Sequence, residues 1–426
     1  MERKKIKIGL FGFGCVGKGL WDVSNQTPGL KTEIIKICVK DKQKQRPIPK
    51  EYFTFDKDEL LYNPNINVIV ELIDDADAAF EIVSTALKQG KAVVSANKKM
   101  IAEHFTELLD LQHKYDVPLL YEGASCASIP VIRNLEEYYD NDLLSSIEGI
   151  VNGSTNYILT KIFKDKLNYA QALKQAQDLG FAESNPKLDV EGFDARSKLA
   201  ILLAHGFGTV VNPEEITNLG IQHIGELETR YAREKGLTIK LIARAKKLND
   251  KSIAAFVLPQ FIKSDNQLHY IDNEYNGVQI ESCFADKQFF IGKGAGAFPT
   301  ASAVLSDISA LTYDYKYEYK KIAQSGGFPL SNNFVTEVFV RFTSDIEIDK
   351  SAFIEITEQY TALRQNYIIG RINFENLISA DWFNQTGVSV ILTENALVQQ
   401  ISNSESNHVS KEKHQQKNAL ANHLFV

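Results

Sequence analysis

The sequence predicts an α/β protein: a parallel sheet at the start of the chain, an α+β portion after it and a small α+β module near the end. Over residues 1–125 short apolar runs alternate with helical stretches, and the first run leads into a cluster of glycines. After about residue 130 the pattern changes, with helical stretches preceding strand-like ones. Strands that alternate with helices are joined by right-handed crossovers and therefore lie parallel.

In chain order, Ile6–Leu10 is apolar at every second position and reads as a first strand. Ile34–Val39 is a second. Val68–Ile73 is a third, continuous enough to be buried on both faces, as strands inside parallel sheets are. Ala92–Ser95 and Pro118–Tyr121 are a fourth and a fifth. Ala79–Gln89 is helical and ends at Gly90, where a glycine commonly terminates a helix. Further on, Tyr157–Phe163, Tyr169–Leu179 and Ala195–Ala204 read as helices, and Ile253–Leu258 and Gln288–Ile291 as strands. Thr300–Leu311 is one more helix, placed to return to the first domain. A polar joint at Ser325–Asn333 precedes a strand at Val335–Thr343, a helix at Lys350–Ala362 and strands near Tyr367–Phe374 and Val388–Thr393. The expected domains are 1–130 with 300–325, 131–299 and 333–397, followed by a polar tail over 398–426 that is too poor in apolar residues to fold alone.

Composition narrows the function classes. Of 426 residues, 44% are hydrophobic and 24% charged, ordinary for a soluble globular chain. A net charge of −7 argues against a nucleic-acid partner. No apolar run approaches the roughly 18–20 residues needed to span a bilayer, so no membrane partner is expected. The basic start, MERKK, precedes a short glycine-rich stretch without a cleavage site, which suits a strand better than a signal peptide. Four dispersed cysteines and no CxxC or HExxH pattern fit a reducing cytoplasm and give no transition-metal site.

The glycines form Gly12-Phe13-Gly14-Cys15-Val16-Gly17, a GxGxxG turn between a strand and a helix. The first glycine permits the turn, the second lets the backbone approach a pyrophosphate, and the third allows helix to pack on strand. The following helix N-terminus offers free N–H groups to phosphate. This makes the first domain a dinucleotide-binding domain of Rossmann type. The plain alternative is a structural glycine turn. At the end of the second strand, where an NAD site usually has Asp or Glu, stands Lys40. A lysine there can sit beside a 2′-phosphate, which tilts the expectation towards NADP over NAD. Its plain reading is a solvated basic loop with Lys42, Lys44 and Arg46.

Three polar segments follow: Ser95-Ala96-Asn97-Lys98 after a buried strand, Asn152-Gly153-Ser154-Thr155-Asn156-Tyr157 leading into a helix, and Gly180-Phe181-Ala182-Glu183 running on to Asp189, Asp194 and Lys198. With Gly294-Ala295-Gly296 and Pro299-Thr300-Ala301-Ser302-Ala303-Val304, these motifs resemble, in the right order from about residue 6 to 311, the homoserine dehydrogenase family. The resemblance implies NAD(P)-dependent interconversion of L-aspartate 4-semialdehyde and L-homoserine, in threonine and methionine biosynthesis, by a homodimer.

The resemblance also assigns residues. Lys198 matches the proton donor to the aldehyde oxygen, Asp194 the aspartate that holds substrate and lysine, and Lys98 a second lysine between nicotinamide and substrate. Asp194 and Lys198 are four apart, on one helix face; their ordinary reading is a surface ion pair. Glu183 and Asp189 match the carboxylates that receive the substrate ammonium, and would otherwise be a solvated acidic loop. Gly294 joins the glycine turn and Lys40 as cofactor-binding. Glu122, with the carbonyls of Ser125, Ala127 and Ile129, matches a site for Na⁺ or K⁺, where the family often has glycines and this chain has Cys126-Ala127-Ser128. The family also usually has two glycines where this chain has Asp74 and Asp75, carboxylates that would oppose phosphate nearby. Residues 335–393 resemble an ACT-type module whose ligand turn is replaced by Asp345–Asp349. The competing readings are a catalytically decayed nucleotide sensor and a phosphorylating semialdehyde dehydrogenase; the latter needs a nucleophilic cysteine that no basic motif here supports.

Overall fold

The computed structural model describes residues 5–393 other than 142, 250 and 251, together with 399 and 400. The chain divides into two compact units, one of residues 1–245 and 255–329, the other of 246–254 and the residues from 330 on.

The first unit opens with β1 (Ile6–Phe11), α1 (Cys15–Gln26), β2 (Thr32–Cys38), β3 (Phe53–Thr54), α2 (Asp58–Leu61), β4 (Val68–Glu71), α3 (Ala76–Lys88), β5 (Ala92–Ser95), α4 (Lys98–Glu103), α5 (Phe105–Tyr115) and β6 (Leu119–Leu120). The strands form one parallel sheet in the order β3-β2-β1-β4-β5-β6. All of β4 is buried, as its unbroken apolar run demands. The chain moves outward from β1 to β3, then returns to the other side of β1 as β4. This reversal opens a crevice beyond the C-terminal ends of β1 and β4, where open α/β sheets bind ligands. The glycine turn, the 72–74 loop and Lys98 all follow strand ends on that side.

The chain continues with α6 (Val131–Arg133), β7 (Leu144–Ile150), α7 (Gly153–Lys164), α8 (Tyr169–Asp178), α9 (Lys187–Val190), α10 (Phe193–Phe207), β8 (Thr217–Asn218), α11 (Glu226–Glu234), β9 (Thr238–Asn249), β10 (Ser252–Ile262), β11 (Tyr275–Ser282), β12 (Asp286–Lys293), α12 (Ala297–Ala310) and α13 (Lys320–Ser325). A second sheet runs β12-β11-β7-β9-β10. Of these, β7, β9 and β11 were not among the expected strands. Helix α10 is buried on nearly every side because its Leu199–Ala204 core is apolar all round. Gly192 and Gly208, both at positive φ, delimit it. This centres Asp194 and Lys198, its first two turns, inside the protein. Helix α12 packs so closely on α1 that a Cβ on Gly19 would meet the Ala297 carbonyl at 2.7 Å. That contact sets the Gly294–Gly296 loop beside the glycine turn.

The second unit carries β13 (Phe334–Thr343), β14 (Phe353–Tyr360), β15 (Gln365–Asn373), α14 (Phe374–Ile378), β16 (Val388–Leu392) and β17 (Gln399–Gln400). Its order is β16-β13-β15-β14, antiparallel throughout, with β17 also paired to β13. The helix expected over 350–362 is therefore a strand, β14. Glu355, Glu358 and Gln359 suit a helix, but Phe353, Ile354, Ile356 and Thr357 favour the pleated edge that β15 offers. The polar tail expected over 398–426 lies outside the described residues, apart from Gln399 and Gln400.

Candidate active site

A cavity of about 270 Å³ lies at the crevice. Val16, Leu72, Ile73, Asp74, Ala96 and Lys98 line it from the parallel sheet's side. Asn152–Ser154, Asp189, Asp194 and Lys198 line it from the second half of the unit, with Gly294–Gly296 and Thr300 closing it.

The glycine turn behaves as its spacing requires. Gly12 has φ +92°, and a Cβ there would meet the Leu72 carbonyl at 2.4 Å. A Cβ on Gly17 would meet the Gly12 carbonyl at the same distance. A Cβ on Gly14, by contrast, would project into open space. Gly14 is also the N-cap of α1 without a side-chain cap, so the first N–H groups of the helix face that space unblocked. The turn thus fits a dinucleotide pyrophosphate. Phe13 is buried against Phe53, while Cys15 is exposed. A Cβ on Gly294 would fall 1.9 Å from the buried Asn276 side chain, so a larger residue there requires Asn276 to move. A Gly14→Ala variant should fold with an unchanged melting temperature yet raise the cofactor Kd at least about tenfold, because its methyl fills the approach to the phosphates. Fluorescence titration with reduced cofactor and a thermal melt check this; an unchanged Kd would count against the turn as the phosphate site.

Lys98, Asp194 and Lys198 come together as one cluster. Asp194 Oδ2 lies 2.8 Å from Lys198 Nζ, and Asp194 Oδ1 lies 2.8 Å from Lys98 Nζ. Lys198 also donates to the Val151 carbonyl at 2.7 Å. Asp194 is 7% and Lys198 6% exposed. The Lys98 side chain is 44% exposed, on the cavity wall. Burial works to raise the Asp194 carboxyl, but the two ammonium groups overcome it and hold the acid well below the usual carboxylate range. The Asp194 charge in turn raises Lys98.

The same cluster reaches the substrate carboxylates through a residue that the sequence reading left without a role. Asn152 Nδ2 donates to Asp189 at 2.7 Å and to Asp194 at 2.8 Å, while its Oδ1 caps α7 by accepting from Thr155 N. An Asn directly before a helical Gly-Ser-Thr is an N-cap signature, and that signal was available. Burial, then the Asp194 charge, raises Asp189. Glu183 is exposed and lies outside the cavity, in an adjoining groove of about 730 Å³ that shares Lys98, Asp189 and Asp194 with it. Its charge still acts on Lys98.

Glu122 is buried and held by the backbone ahead of it. Its Oε1 accepts from Ile132 N at 2.9 Å and its Oε2 from Arg133 N at 3.0 Å, so the carboxylate anchors the start of α6. Burial, then the Asp307 charge, pushes it up to about 8. Ala127 sits at φ +44°, so the turn keeps a left-handed path despite lacking glycine. Lys40 stands outside the cavity, its side chain 88% exposed and its ammonium 3.7 Å from Asp75. Asp75 is itself the N-cap of α3, accepting from Ala78 N.

Such a crevice suits hydride exchange with a nicotinamide while a buried lysine manages the proton on the substrate oxygen, which is the work of an NAD(P)-dependent oxidoreductase. Residues 12–122 match the family described as homoserine dehydrogenase, NAD binding domain, and residues 130–309 match homoserine dehydrogenase. A homoserine dehydrogenase of Bacillus subtilis is 36% identical over 317 residues, 72% of this chain and 73% of the relative. The solved homoserine dehydrogenase of Thiobacillus denitrificans, 27% identical, superposes with a TM-score of 0.82 over 92% of this chain and 99% of that one. A hyperthermophilic archaeal homoserine dehydrogenase, solved in complex with NADPH, is 28% identical with a TM-score of 0.64 over 74% of this chain and 99% of that one. The chain belongs to the homoserine dehydrogenase family. Its reaction is the NAD(P)-dependent interconversion of L-aspartate 4-semialdehyde and L-homoserine. The decayed-sensor alternative is not favoured.

Proposed function

We propose that Lys198 is the group that gives a proton to the aldehyde oxygen and takes it back in the reverse direction, with Lys98 sharing the charge that develops there. The observation that carries this is the single Asp194 carboxylate holding both ammonium groups at 2.8 Å on the cavity wall. The glycine turn, Lys98 and Gly294 would hold the dinucleotide, whose nicotinamide would supply or accept the hydride. Asp194 fixes both lysines, Asn152 ties Asp194 to Asp189, and Asp189 with Glu183 receives the substrate ammonium. Oxidation of homoserine releases a proton, so alkaline pH favours it.

Four finer points belong to the same reading. NADP is preferred over NAD through Lys40, whose ammonium stands free of the cavity beside only one carboxylate among its described ion pairs. A monovalent cation, Na⁺ or K⁺, is held by Glu122 with the carbonyls of Ser125, Ala127 and Ile129. The enzyme works as a cytoplasmic homodimer in threonine and methionine biosynthesis. Residues 1–130 with 300–325 bind the nucleotide, 131–299 carry substrate chemistry and dimerisation, and 333–397 form a degenerate ACT-like module. For the last, the support is that β13 and β14 both run antiparallel to β15 between them, as a crossover would leave them. Lys40→Ala should raise the KM for NADP by about tenfold and leave that for NAD within about twofold, the loss of one charge-assisted phosphate contact. Initial rates with both cofactors read this; an unchanged ratio would remove Lys40 from cofactor choice.

A further inference from the structure

Beneath Lys98 lies a buried carboxyl that the reaction itself does not use. Glu71 ends β4 directly opposite Ser95 at the end of β5, and it is fully buried. Ser95 Oγ donates to Glu71 Oε2 at 2.6 Å, and Ile73 N donates to Glu71 Oε1 at 2.7 Å. The same Ser95 oxygen accepts from Asn97 N at 3.0 Å. Asn97 then acts in two directions: its Oδ1 caps α4 by accepting from Met100 N at 3.0 Å, and its Nδ2 donates to the Ile73 carbonyl at 3.1 Å. The bonds end on two segments, the 72–74 loop and the turn that starts α4. Both line the cavity, through Leu72, Ile73 and Asp74 on one side and Ala96 and Lys98 on the other.

We propose that Glu71 is a positioning residue of the hydride-transfer site, holding Lys98 and the cofactor-side loop 72–74 as one unit through Ser95 and Asn97. This rests on the reading of Lys98 as an active-site lysine. A buried carboxyl without a cationic partner is expensive to keep in a strand end, and a neutral residue would close the sheet as well. What the carboxyl adds is two acceptor oxygens that order two donors on different segments at once. The groups facing the carboxyl are the Ser95 hydroxyl from β5 and the Ile73 N–H and Asp74 carboxylate of its own loop, while Phe11 of β1 pairs with Glu71 along the sheet. Burial, reinforced by Asp74 and opposed by the bonds from Ser95 and Ile73, pushes Glu71 up to about 7. Its ionised form accepts both bonds. Its protonated form offers Ser95 a neutral oxygen in place of a charged one, which weakens the bond that orients the Ser95 hydroxyl and with it the hold on Asn97 and Lys98. The ionised form is therefore the competent one, and its formation contributes an acid limb to the rate near neutrality.

The test compares full-length wild type with Ser95→Thr, Ser95→Val and Glu71→Gln, using homoserine oxidation as the assay. Threonine and valine match in shape, but only threonine keeps the hydroxyl. Ser95→Val should lose roughly 10- to 100-fold in kcat and raise the cofactor KM, while Ser95→Thr stays within about threefold of wild type. Glu71→Gln should abolish the acid limb near pH 7 at reduced kcat, a change that loss of folded protein alone would not produce. Should Ser95→Val fail to fold by circular dichroism, the pH profile of Glu71→Gln and the kinetics of Ser95→Thr decide. Ser95→Val with wild-type kcat and cofactor KM overturns the proposal, as does Ser95→Thr impaired as deeply as valine, or an unmoved profile in Glu71→Gln. A folded wild type that does not oxidise homoserine would instead remove the reading of Lys98 on which the proposal stands.

Discussion

Lys198→Ala should lower turnover by about 10²–10⁴-fold, the range over which a positioned proton donor acts. The cofactor Kd should stay within about twofold, since the bonds Lys198 makes are to Asp194 and the Val151 carbonyl and none goes to the glycine turn. Lys98 is not a replacement. It starts from α4 and holds the other oxygen of Asp194, so it stabilises charge from a different side of the cavity. The variant keeps the Lys98–Asp194 pair, so the buried carboxylate retains one partner and the protein should remain folded. Single-turnover kinetics alongside cofactor titration separate the two quantities. A variant retaining more than about a tenth of wild-type turnover would take Lys198 out of the proton-transfer role.

The second large effect is expected of Asp194→Asn, in both activity and stability. The amide keeps the shape and can still accept from Asn152, but it leaves two ammonium groups facing each other without an anion. Turnover should fall on the order of 10²-fold as both lysines lose their placement. Breaking a buried ion pair from one side costs about 3–5 kcal/mol, and the lower end applies because Lys98 is partly exposed. The sign of the pH dependence follows from the two shifts. Asp194 is held below its unfolded value, so its contribution is present above about pH 4 and fades only as pH falls through the lower folded value. Lys98 is raised, so its contribution is present below about pH 10 and fades as pH climbs through the higher folded value. The gap between wild type and variant should therefore be widest and flat between those limits and narrow outside them. Urea melts at several pH values measure it; a gap constant into strong acid and strong base would contradict the pair as drawn.

The parallel sheet was legible because its strands are buried on both faces and read as uninterrupted apolar runs, of which Val68–Glu71 is the clearest. The second sheet was less so. In β9 the period-two alternation that marks a strand is broken, because Ile242 shares a face with Lys240 and Arg244 while Lys247 falls on the face of Leu241, Ala243 and Ala245. The helix expected at 350–362 failed for a related reason: the polar residues of an exposed edge strand resemble the polar face of a helix until the neighbouring strand is known. At the site, spacing alone put Asp194 and Lys198 on one face of α10. That Lys98 would share the same carboxylate depends on α4 meeting α10 across the unit, which no local pattern carries. The direction of the Glu122 carboxylate is likewise nonlocal, fixed by the two backbone N–H groups at the start of α6, about ten residues further along.

The most direct test of the account is to mix purified, folded protein with L-homoserine at alkaline pH, with NADP and NAD in parallel and Na⁺ or K⁺ present, and to follow the reduced nicotinamide by its absorbance. The account predicts homoserine-dependent reduction that vanishes in Lys198→Ala. Folded protein that binds the cofactor but reduces neither form in the presence of homoserine would contradict it.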